Sequence, residues 1–308
     1  MTLAFQAVSV FGDAPFEGNS AAVFLDAERI PDDAVHGVAR SIGGTGAAFV
    51  LPPTLRGAIA RVRTIAGDDE PSFLAHTVLG SLHALVTSGR IAPEAGRACE
   101  VEVGSGSVVA QLLGRDGDAT TWALGLDATP PEKLVPDIKA LMKGTRLVHD
   151  DFDLFMPIER AASFILVPVP TRESLRRVTP DDRALVTWVG AREVTQIAFF
   201  CVESRDPLRI AARVVCPGSP LGEDAVTGTL HKALAPYLVA NRVLSGGDGP
   251  AEYHVVQGDR FGRIGSLRVR LVKEGLAART IEVVGTCRTW IDAAPRRSTT
   301  SSTLRPPT

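Results

Sequence analysis

The sequence predicts an α+β protein built from two similar halves. Its 308 residues exceed the size of most single hydrophobic cores, so two domains are expected. Segments with the short apolar or alternating pattern of β-strands outnumber helical segments, which does not fit a strict alternation of strands and helices. A short motif that occurs once in each half indicates a duplication.

We expect a first domain over residues 1–120 and a second over residues 121–292. We expect that the last strand, near 280–290, can return to the first domain. Residues 293–308 are Ser, Thr, Pro and Arg with almost no apolar content, so they bury too little surface to offset the entropy of ordering. This tail is therefore predicted to be disordered.

The predicted strands share an apolar or alternating pattern bounded by turn residues. They cover residues 3–10, 21–25, 47–51, 58–65, 99–103, 108–113, 121–124, 163–169, 196–202, 208–215, 252–257, 266–271 and 280–284. The first two are separated by a turn-rich stretch and predict a hairpin. Residues 31–41 have helical spacing behind an acidic start and predict a helix.

Composition excludes several classes of function. The formal net charge is −2, which gives no electrostatic reason to bind nucleic acid or an anionic membrane surface. No secretory signal and no apolar run long enough to cross a bilayer is visible, so we expect a cytoplasmic protein. The four cysteines are widely spaced without a CxxC pair, which argues against a disulfide framework or a thiolate zinc site.

The repeated motif reads HTVLGSLH from His76 to His83 and DAVTGTLH from Asp224 to His231, 148 residues further on. Each copy continues as a helix with apolar periodicity. These helices are expected to end near Gly89 and Asn241, where glycine or asparagine precedes a basic residue. Two related helix starts therefore face the same interface if the halves are symmetric.

Each helix start offers unpaired N–H groups and a partial positive charge, which suit a carboxylate or phosphate. Gly80 and Gly228 would let a ligand approach the backbone closely, and Ser81 and Thr229 would add hydroxyl groups. The alternative is that these residues merely shape and cap a helix. The sequence leaves both interpretations open.

The first residues of the two copies differ, His76 in one and Asp224 in the other. An imidazole and a carboxylate facing one another across a cleft suit the transfer of a proton between two positions of a substrate. Taken singly, either residue would be better explained by helix capping or by a core hydrogen bond. His83 and His231, seven residues further on, are expected to be structural.

At this point the chain resembles the PhzF (phenazine biosynthesis-like) isomerase family and, through its fold, diaminopimelate epimerase and proline racemase. Residues 16–24, FEGNSAAVF, are similar to the family's PFxGNPxAV element. Residues 223–229 are similar to EDPxTGS, residues 62–80 to its strand and GHxTLG helix entry, and residues 257–263 to QGxxxGR. The resemblance implies two domains, each a curved, mostly antiparallel sheet around a central helix, with the active site between them.

The resemblance further implies a homodimer, with no metal and no organic cofactor, that acts on a small carboxylate-bearing substrate. The implied reaction shifts a double bond or proton in a conjugated metabolite of natural-product biosynthesis. Its catalytic residues would be His76 and Asp224. Its substrate contacts would be Asn19, Gly46, Gly80, Ser81, Gly228 and Thr229. Two alternatives are a cyclase or other positional catalyst on the same scaffold, and a ligand-binding protein that has lost catalysis.

One position departs from the family pattern. Family members carry a proton-transferring glutamate where this chain has Gly46, immediately before a predicted strand. An active enzyme then needs another base, an already acidic substrate, or catalysis by positioning. The nearest acidic residues before His76 are Asp68, Asp69 and Glu70, and Glu70 is expected to be structural. Racemase chemistry with paired thiols is excluded because residues 73–75 and 222–224 contain no cysteine.

Overall fold

The structure is a computed structural model that describes residues 3–43, 46–135, 137–219, 222–244, 246–259 and 262–293. Apart from Ala293, the tail predicted to be disordered lies outside the described residues. None of the described helices has the length and apolar character needed to cross a membrane.

The strands are β1 Gln6–Val10, β2 Asn19–Phe24, β3 Ala47–Leu51, β4 Ala58–Ile65, β5 Ala98–Val103, β6 Gly106–Asp116, β7 Ala119–Leu126, β8 Glu132–Lys133, β9 Glu159–Ala161, β10 Phe164–Pro168, β11 Gln196–Arg205, β12 Leu208–Val215, β13 Glu223–Asp224, β14 Gly249–Gln257, β15 Gly265–Glu274 and β16 Ala277–Asp292. The α-helices are α1 Val35–Ile42, α2 Ala75–Thr87, α3 Ile138–Thr145, α4 Arg172–Arg177, α5 Asp182–Gly190 and α6 His231–Ala240. Every strand predicted from the sequence is present, and the predicted β1–β2 hairpin is confirmed.

In the first half the strands close into a barrel. Strands β1 to β7 follow one another in order, and β16 pairs with both β7 and β1. Helix α2 lies inside this barrel and is buried along its length except at Thr87. Alternate strand residues, such as Val8 and Val10, point inward and pack with Leu79 and Leu82 of the helix. The surrounding sheet therefore buries a helix that is apolar on all sides.

The second half is a curved sheet in the order β8-β9-β10-β11-β12-β14-β15-β16, with α6 against β15 and β16. Strand β16 is shared by the halves. It pairs with β15 near its start, with β7 over Ile281–Cys287, and with β1 from Cys287 to Asp292. Most strand pairs are antiparallel. The two curved sheets, each around a central helix, are those expected from the sequence.

The two halves repeat one pairing pattern. From β1 to β7 the neighbours are antiparallel, parallel, antiparallel, parallel, antiparallel and antiparallel. The same series runs from β9 through β10, β11, β12, β14 and β15 to β16. In each half the central helix follows the fourth strand of the series. This shared topology supports the duplication inferred from the repeated motif.

Helices α3, α4 and α5 were not predicted from the sequence. They cover the outer face of β10, β11 and β12 and form a separate apolar cluster that contains Leu141, Leu175 and Leu185. α4 has only six residues and α3 only eight, so neither gives a long apolar period. Their starts are marked instead by side-chain caps, Asp137 for α3 and Thr171 for α4.

The acidic stretch at 149–153 is buried in part. A run of carboxylates is typical of a surface loop, and His149 and Asp150 are exposed, but Asp151 is 2% exposed. Its carboxylate accepts hydrogen bonds from the Ser174 hydroxyl at 3.0 Å and the Arg177 guanidinium at 2.8 Å. These two bonds anchor α4 to the 149–153 stretch.

Candidate active site

The two helix starts meet between the halves. A Cβ atom added to Gly228 would lie 2.6 Å from the Cβ of Ala75 and 2.9 Å from Cζ of Phe11. Gly228 begins the 3₁₀ turn Gly228–Leu230, which leads into α6, and Ala75 begins α2. Glycine is required here because the methyl group of Ala75 and the ring of Phe11 occupy the space that a side chain would need. The repeated motifs are therefore in direct contact.

Asp224 is held by one donor from each half. Its Oδ1 accepts a hydrogen bond from Nδ2 of Asn19 at 2.7 Å, and its Oδ2 accepts one from Oγ1 of Thr227 at 2.7 Å. Asn19 is fully buried at the start of β2, and its Nδ2 also donates to the Val226 carbonyl at 2.9 Å. Two charge-assisted bonds fix the orientation of this carboxyl group.

Burial raises the pKa of Asp224 to about 6, because a carboxylate loses hydration there. The hydrogen bonds from Thr227 and Asn19 oppose this by stabilising the charged form. A carboxyl group with a pKa near 6 exists in both protonation states close to neutral pH. Such a group can take up a proton and give it back, as a general base and then as a general acid.

Gln257 locks the segment that follows Asp224. Its Nε2 donates to the Asp224 carbonyl at 2.9 Å and to Oγ1 of Thr227 at 3.1 Å, while its Oε1 accepts from the Thr227 N–H at 3.2 Å. Gln257 is buried at the end of β14. The sequence marked it as part of a family element without giving it a role, and Thr227 was not singled out.

The residue directly before Asp224, Glu223, forms a buried ion pair. Arg213 on β12 meets Glu223 in a bidentate arrangement, with Nε–Oε1 at 2.9 Å and Nη2–Oε2 at 2.7 Å. Nη1 of Arg213 donates to the carbonyls of Leu175 and Val178 at 2.5 and 2.9 Å. The pair is fixed by these extra bonds, so it holds β13, and with it Asp224, in place.

His76 lies on the other side of the junction. It is 3% exposed, and its Nε2 is buried without a hydrogen-bond partner among the described residues. Burial lowers the pKa of His76 to about 4, so the imidazole is neutral at pH 7. A Cβ atom added to Gly46 would lie 3.0 Å from this nitrogen.

Strand β2 lies between the two candidate catalytic residues, Asp224 and His76. Asn19 at its start bonds Asp224, and the Ala22 N–H further along donates to the Gly46 carbonyl at 3.1 Å. Three residues of extended strand span about 10 Å. Gly46 in turn lies beside the imidazole of His76. The structure thus brings His76, Gly46, Asn19, Asp224 and Gly228 to one junction between the halves.

The other predicted contacts have local partners. A Cβ at Gly80 would lie 3.0 Å from the Cβ of Ala21, so this glycine lets α2 pack closely on β2. The Ser81 hydroxyl is fully buried and donates to the Thr77 carbonyl at 2.7 Å within the helix. Thr229 is half-buried beside Gly228 in the 3₁₀ turn. Substrate binding by Gly80, Ser81 and Thr229 stays a prediction.

The second histidines of the motif are structural, as expected. His83 bonds Thr120 Oγ1 through Nδ1 at 2.8 Å and Thr289 Oγ1 through Nε2 at 2.9 Å. His231 bonds the Tyr253 hydroxyl through Nδ1 at 2.9 Å. In both halves this histidine ties the central helix to the surrounding sheet.

The acidic residues before His76 point away from the junction. Glu70 forms a bidentate pair with Arg63 at 2.7 and 2.8 Å, which confirms its expected structural role, and Asp68 pairs with Arg40 at 2.8 Å. Asp68, Asp69 and Glu70 are all exposed. Over the described part of the chain, no cluster of three or more His, Cys, Asp or Glu side chains is arranged to hold a metal ion.

Comparison with known proteins decides the family. A model of the phenazine biosynthesis-like protein family, PhzC-PhzF, matches residues 8–293. The chain belongs to this family. It is 29% identical over 266 residues to a trans-2,3-dihydro-3-hydroxyanthranilate isomerase of Pseudomonas fluorescens, covering 83% of this chain and 86% of that protein. The enzyme of the same name from Pseudomonas chlororaphis is 27% identical over 288 residues, covering 90% and 94%. These relatives place the chain among the PhzF-family isomerases.

Solved structures confirm the predicted fold class. A Bacillus anthracis phenazine biosynthesis protein of the PhzF family superposes with a TM-score of 0.82 at 21% identity, covering 94% of this chain and 97% of that one. A hydroxyproline epimerase of Agrobacterium vitis with bound trans-4-hydroxy-L-proline superposes with a TM-score of 0.64 at 15% identity, covering 96% and 92%. The fold is therefore shared with amino-acid epimerases as well.

Proposed function

We propose that the protein isomerises a small, unsaturated, carboxylate-bearing metabolite by moving a proton from one carbon to another, with Asp224 as the proton carrier. The observation that carries this proposal is the Asp224 carboxyl group, fixed by Asn19 and Thr227 and half-buried at the junction of the halves. Its pKa of about 6 suits both removal and return of a proton near neutral pH.

The proton balance is simple. The Asp224 carboxylate removes a proton from one carbon, the electron pair shifts along the conjugated system, and the protonated carboxyl returns the proton to a second carbon. No bond between heavy atoms is broken and no electron acceptor is needed. The neutral imidazole of His76 lies across the junction as a polar contact for the substrate.

The helix starts support binding of a carboxylate. Neither α2 nor the 3₁₀ turn that leads into α6 has a side-chain cap, so their first N–H groups are not taken up by such a cap. Those groups carry partial positive charge, which suits an anion. The relatives named as trans-2,3-dihydro-3-hydroxyanthranilate isomerases act on a cyclic amino acid, and we propose a substrate of that class, used in natural-product biosynthesis.

A proton-exchange assay tests the proposal. Trans-2,3-dihydro-3-hydroxyanthranilate is incubated with the protein in D₂O, and the product is examined for a shifted double bond and for deuterium on ring carbon. Asp224→Asn keeps the side-chain volume but cannot carry a proton, so the rate is expected to fall about 10³-fold. Asp26→Asn is the matched control, because Asp26 pairs with Arg90 beyond the C-terminal end of α2, the end opposite His76. An unchanged rate in Asp224→Asn excludes the proposed role.

The same assay separates the alternatives. A ring-closed or otherwise rearranged product without deuterium indicates a positional catalyst, and binding without turnover indicates a ligand-binding protein. The homodimer implied by the family resemblance and the cytoplasmic location expected from the sequence stay predictions, and sedimentation of the purified chain tests the first of them.

A further inference from the structure

The outer layer of the second half leaves a cavity near the junction of the halves. The cavity has a volume of about 230 Å³ and lies between α4, strand β12 and the end of β14. Its apolar lining is formed by Leu175, Ala211, Ala212 and Val256. None of the junction residues Asn19, His76 and Asp224 lines it. The cavity is therefore a separate space, which the proposed reaction does not use.

The size and the lining of this cavity suit a small ring. Ligand pockets are mostly apolar and carry a few well-placed polar groups. A cavity of roughly 150 Å³ is enough to hold benzene. With its volume of about 230 Å³, the cavity beside α4 has room for one ring and a short charged substituent.

Two arginines carry positive charge at the rim of the cavity. Arg172 and Arg176 are four residues apart on α4, so they lie on the same face of the helix, and both line the cavity. Oδ2 of Asp259 lies 3.1 Å from Nε of Arg176 and 3.9 Å from Nε of Arg172. A carboxylate of the protein itself therefore occupies the place between the two guanidinium groups.

A ligand carboxylate can take the place of Asp259. The side chains of Arg172, Arg176 and Asp259 are 38%, 58% and 32% exposed, and ion pairs exposed to this degree are weak. Guanidinium groups match the planar shape of a carboxylate. A ring placed against the apolar lining would present its carboxylate to these arginines. Charge and lining together select a small apolar carboxylate.

The most deeply buried polar residues of the cavity are the two that support Asp224. Arg213 and Gln257 both line the cavity and are buried. Arg213 pairs with Glu223, the residue before Asp224, and Gln257 donates to the Asp224 carbonyl at 2.9 Å. Asp259 follows Gln257 by only two residues. Release of Asp259 from the arginines therefore removes an anchor of the segment that carries Gln257.

We propose that this cavity is an effector site for a single-ring aromatic carboxylate, and that its occupation lowers turnover at Asp224. The bound carboxylate replaces Asp259 on Arg172 and Arg176, and the segment with Gln257 loses its anchor. The Asp224 carboxyl group is then held less firmly in the orientation that proton transfer needs. The effect on turnover rests on the proposed function, whereas binding of the carboxylate does not.

Titration calorimetry with benzoate tests the site without any turnover. Joint replacement by Arg172→Met and Arg176→Met removes both guanidinium groups, so benzoate should bind about tenfold more weakly. Asp259→Asn removes the competing charge and keeps the shape of the side chain, so benzoate should bind more tightly. Arg40→Met is the matched control, because it removes an exposed arginine that pairs with Asp68 outside the cavity.

The opposite signs of these two changes separate the proposal from general damage, since a disturbed fold would weaken binding in both variants. Weaker binding to both variants, or unchanged binding to both, would overturn the proposal, and so would the absence of saturable binding to the wild type. Benzamide is the uncharged analogue of benzoate and should bind about tenfold more weakly. Equal affinities for benzamide and benzoate would contradict recognition by the arginines.

Turnover with and without saturating benzoate tests the effector role. We expect kcat to fall about fivefold or more in the wild type and to stay unchanged in the double arginine variant. An unchanged kcat, or a rise in KM alone, would overturn this role, because the latter shows competition at the junction. If benzoate binds as expected but the wild type does not isomerise trans-2,3-dihydro-3-hydroxyanthranilate, the proposed function fails and the binding site stands.

Discussion

Two arginines at equivalent places in the two halves have opposite environments. Arg63 on β4 lies opposite Phe49, and Arg213 on β12 lies opposite Phe199. Each forms a bidentate pair with a glutamate that follows it in the chain. The Arg63 side chain is 24% exposed, however, whereas that of Arg213 is 3% exposed.

The difference follows from the layer that covers the sheet. In the second half α4 packs over β11 and β12, and its last turn presents the Leu175 and Val178 carbonyls to Arg213. In the first half the equivalent arginine faces solvent and pairs with Glu70 and Asp32 on the surface. The same strand pairing therefore places a buried ion pair, Arg213–Glu223, next to Asp224. The equivalent pair in the first half, Arg63–Glu70, lies at the surface.

Removing each arginine tests this comparison and gives the largest expected effect. Arg213→Met leaves Glu223 buried without a partner, which should cost about 3–5 kcal/mol in the free energy of unfolding. Arg63→Met removes an exposed pair and should cost no more than about 1 kcal/mol. Urea unfolding followed by circular dichroism measures both. Similar losses for the two variants would show that burial does not distinguish the pairs.

The pH dependence of kcat/KM is the second test, because the two motif residues titrate in different ranges. Asp224 is active as the carboxylate, so activity should be constant above pH 6 and fall about tenfold per unit below it. Asn19→Leu removes a hydrogen bond that lowers the pKa of Asp224. The fall in kcat/KM on the acidic side of the profile should then begin at higher pH. If the pH at which kcat/KM falls is the same in Asn19→Leu as in the wild type, a group other than Asp224 titrates.

The smallest expected effect concerns the second histidines. Tyr253→Phe removes the partner of Nδ1 of His231, and Thr289→Val removes one of the two partners of His83. Each change should lower the free energy of unfolding by about 1 kcal/mol, as for one buried hydrogen bond. Thermal unfolding of both variants checks this. A loss of activity without a loss of stability would instead give one of these histidines a catalytic part.

Much of the fold could be predicted from local pattern. The bounds of β3, β4 and β12 agree with the predicted segments because apolar runs there are delimited by turn residues. The short helices α3 and α4 were missed because they are formed by capping and by packing on the sheet, not by a long apolar period. Capping residues such as Thr171 are the signal that could have found them.

The candidate site was predicted in part. His76, Asp224 and Gly46 were singled out because the motif repeats and because one family position is changed. Thr227, only three residues after Asp224, bonds its carboxylate and was not singled out. Gln257 bonds the Asp224 backbone across 33 residues, and nothing in the spacing of polar residues identifies such a partner. Hydrogen bonds between distant segments depend on the tertiary fold.

The sequence by itself determined the strand series, the duplication and the two residue types that open the central helices, because these are encoded locally in hydrophobic period and in repeated letters. Only the tertiary structure decided that Arg213 is buried and Arg63 partly exposed, that Asn19 reaches Asp224, and that the imidazole of His76 lies beside Gly46. Burial raises the pKa of Asp224 and lowers that of His76, and burial depends on which distant segments pack together.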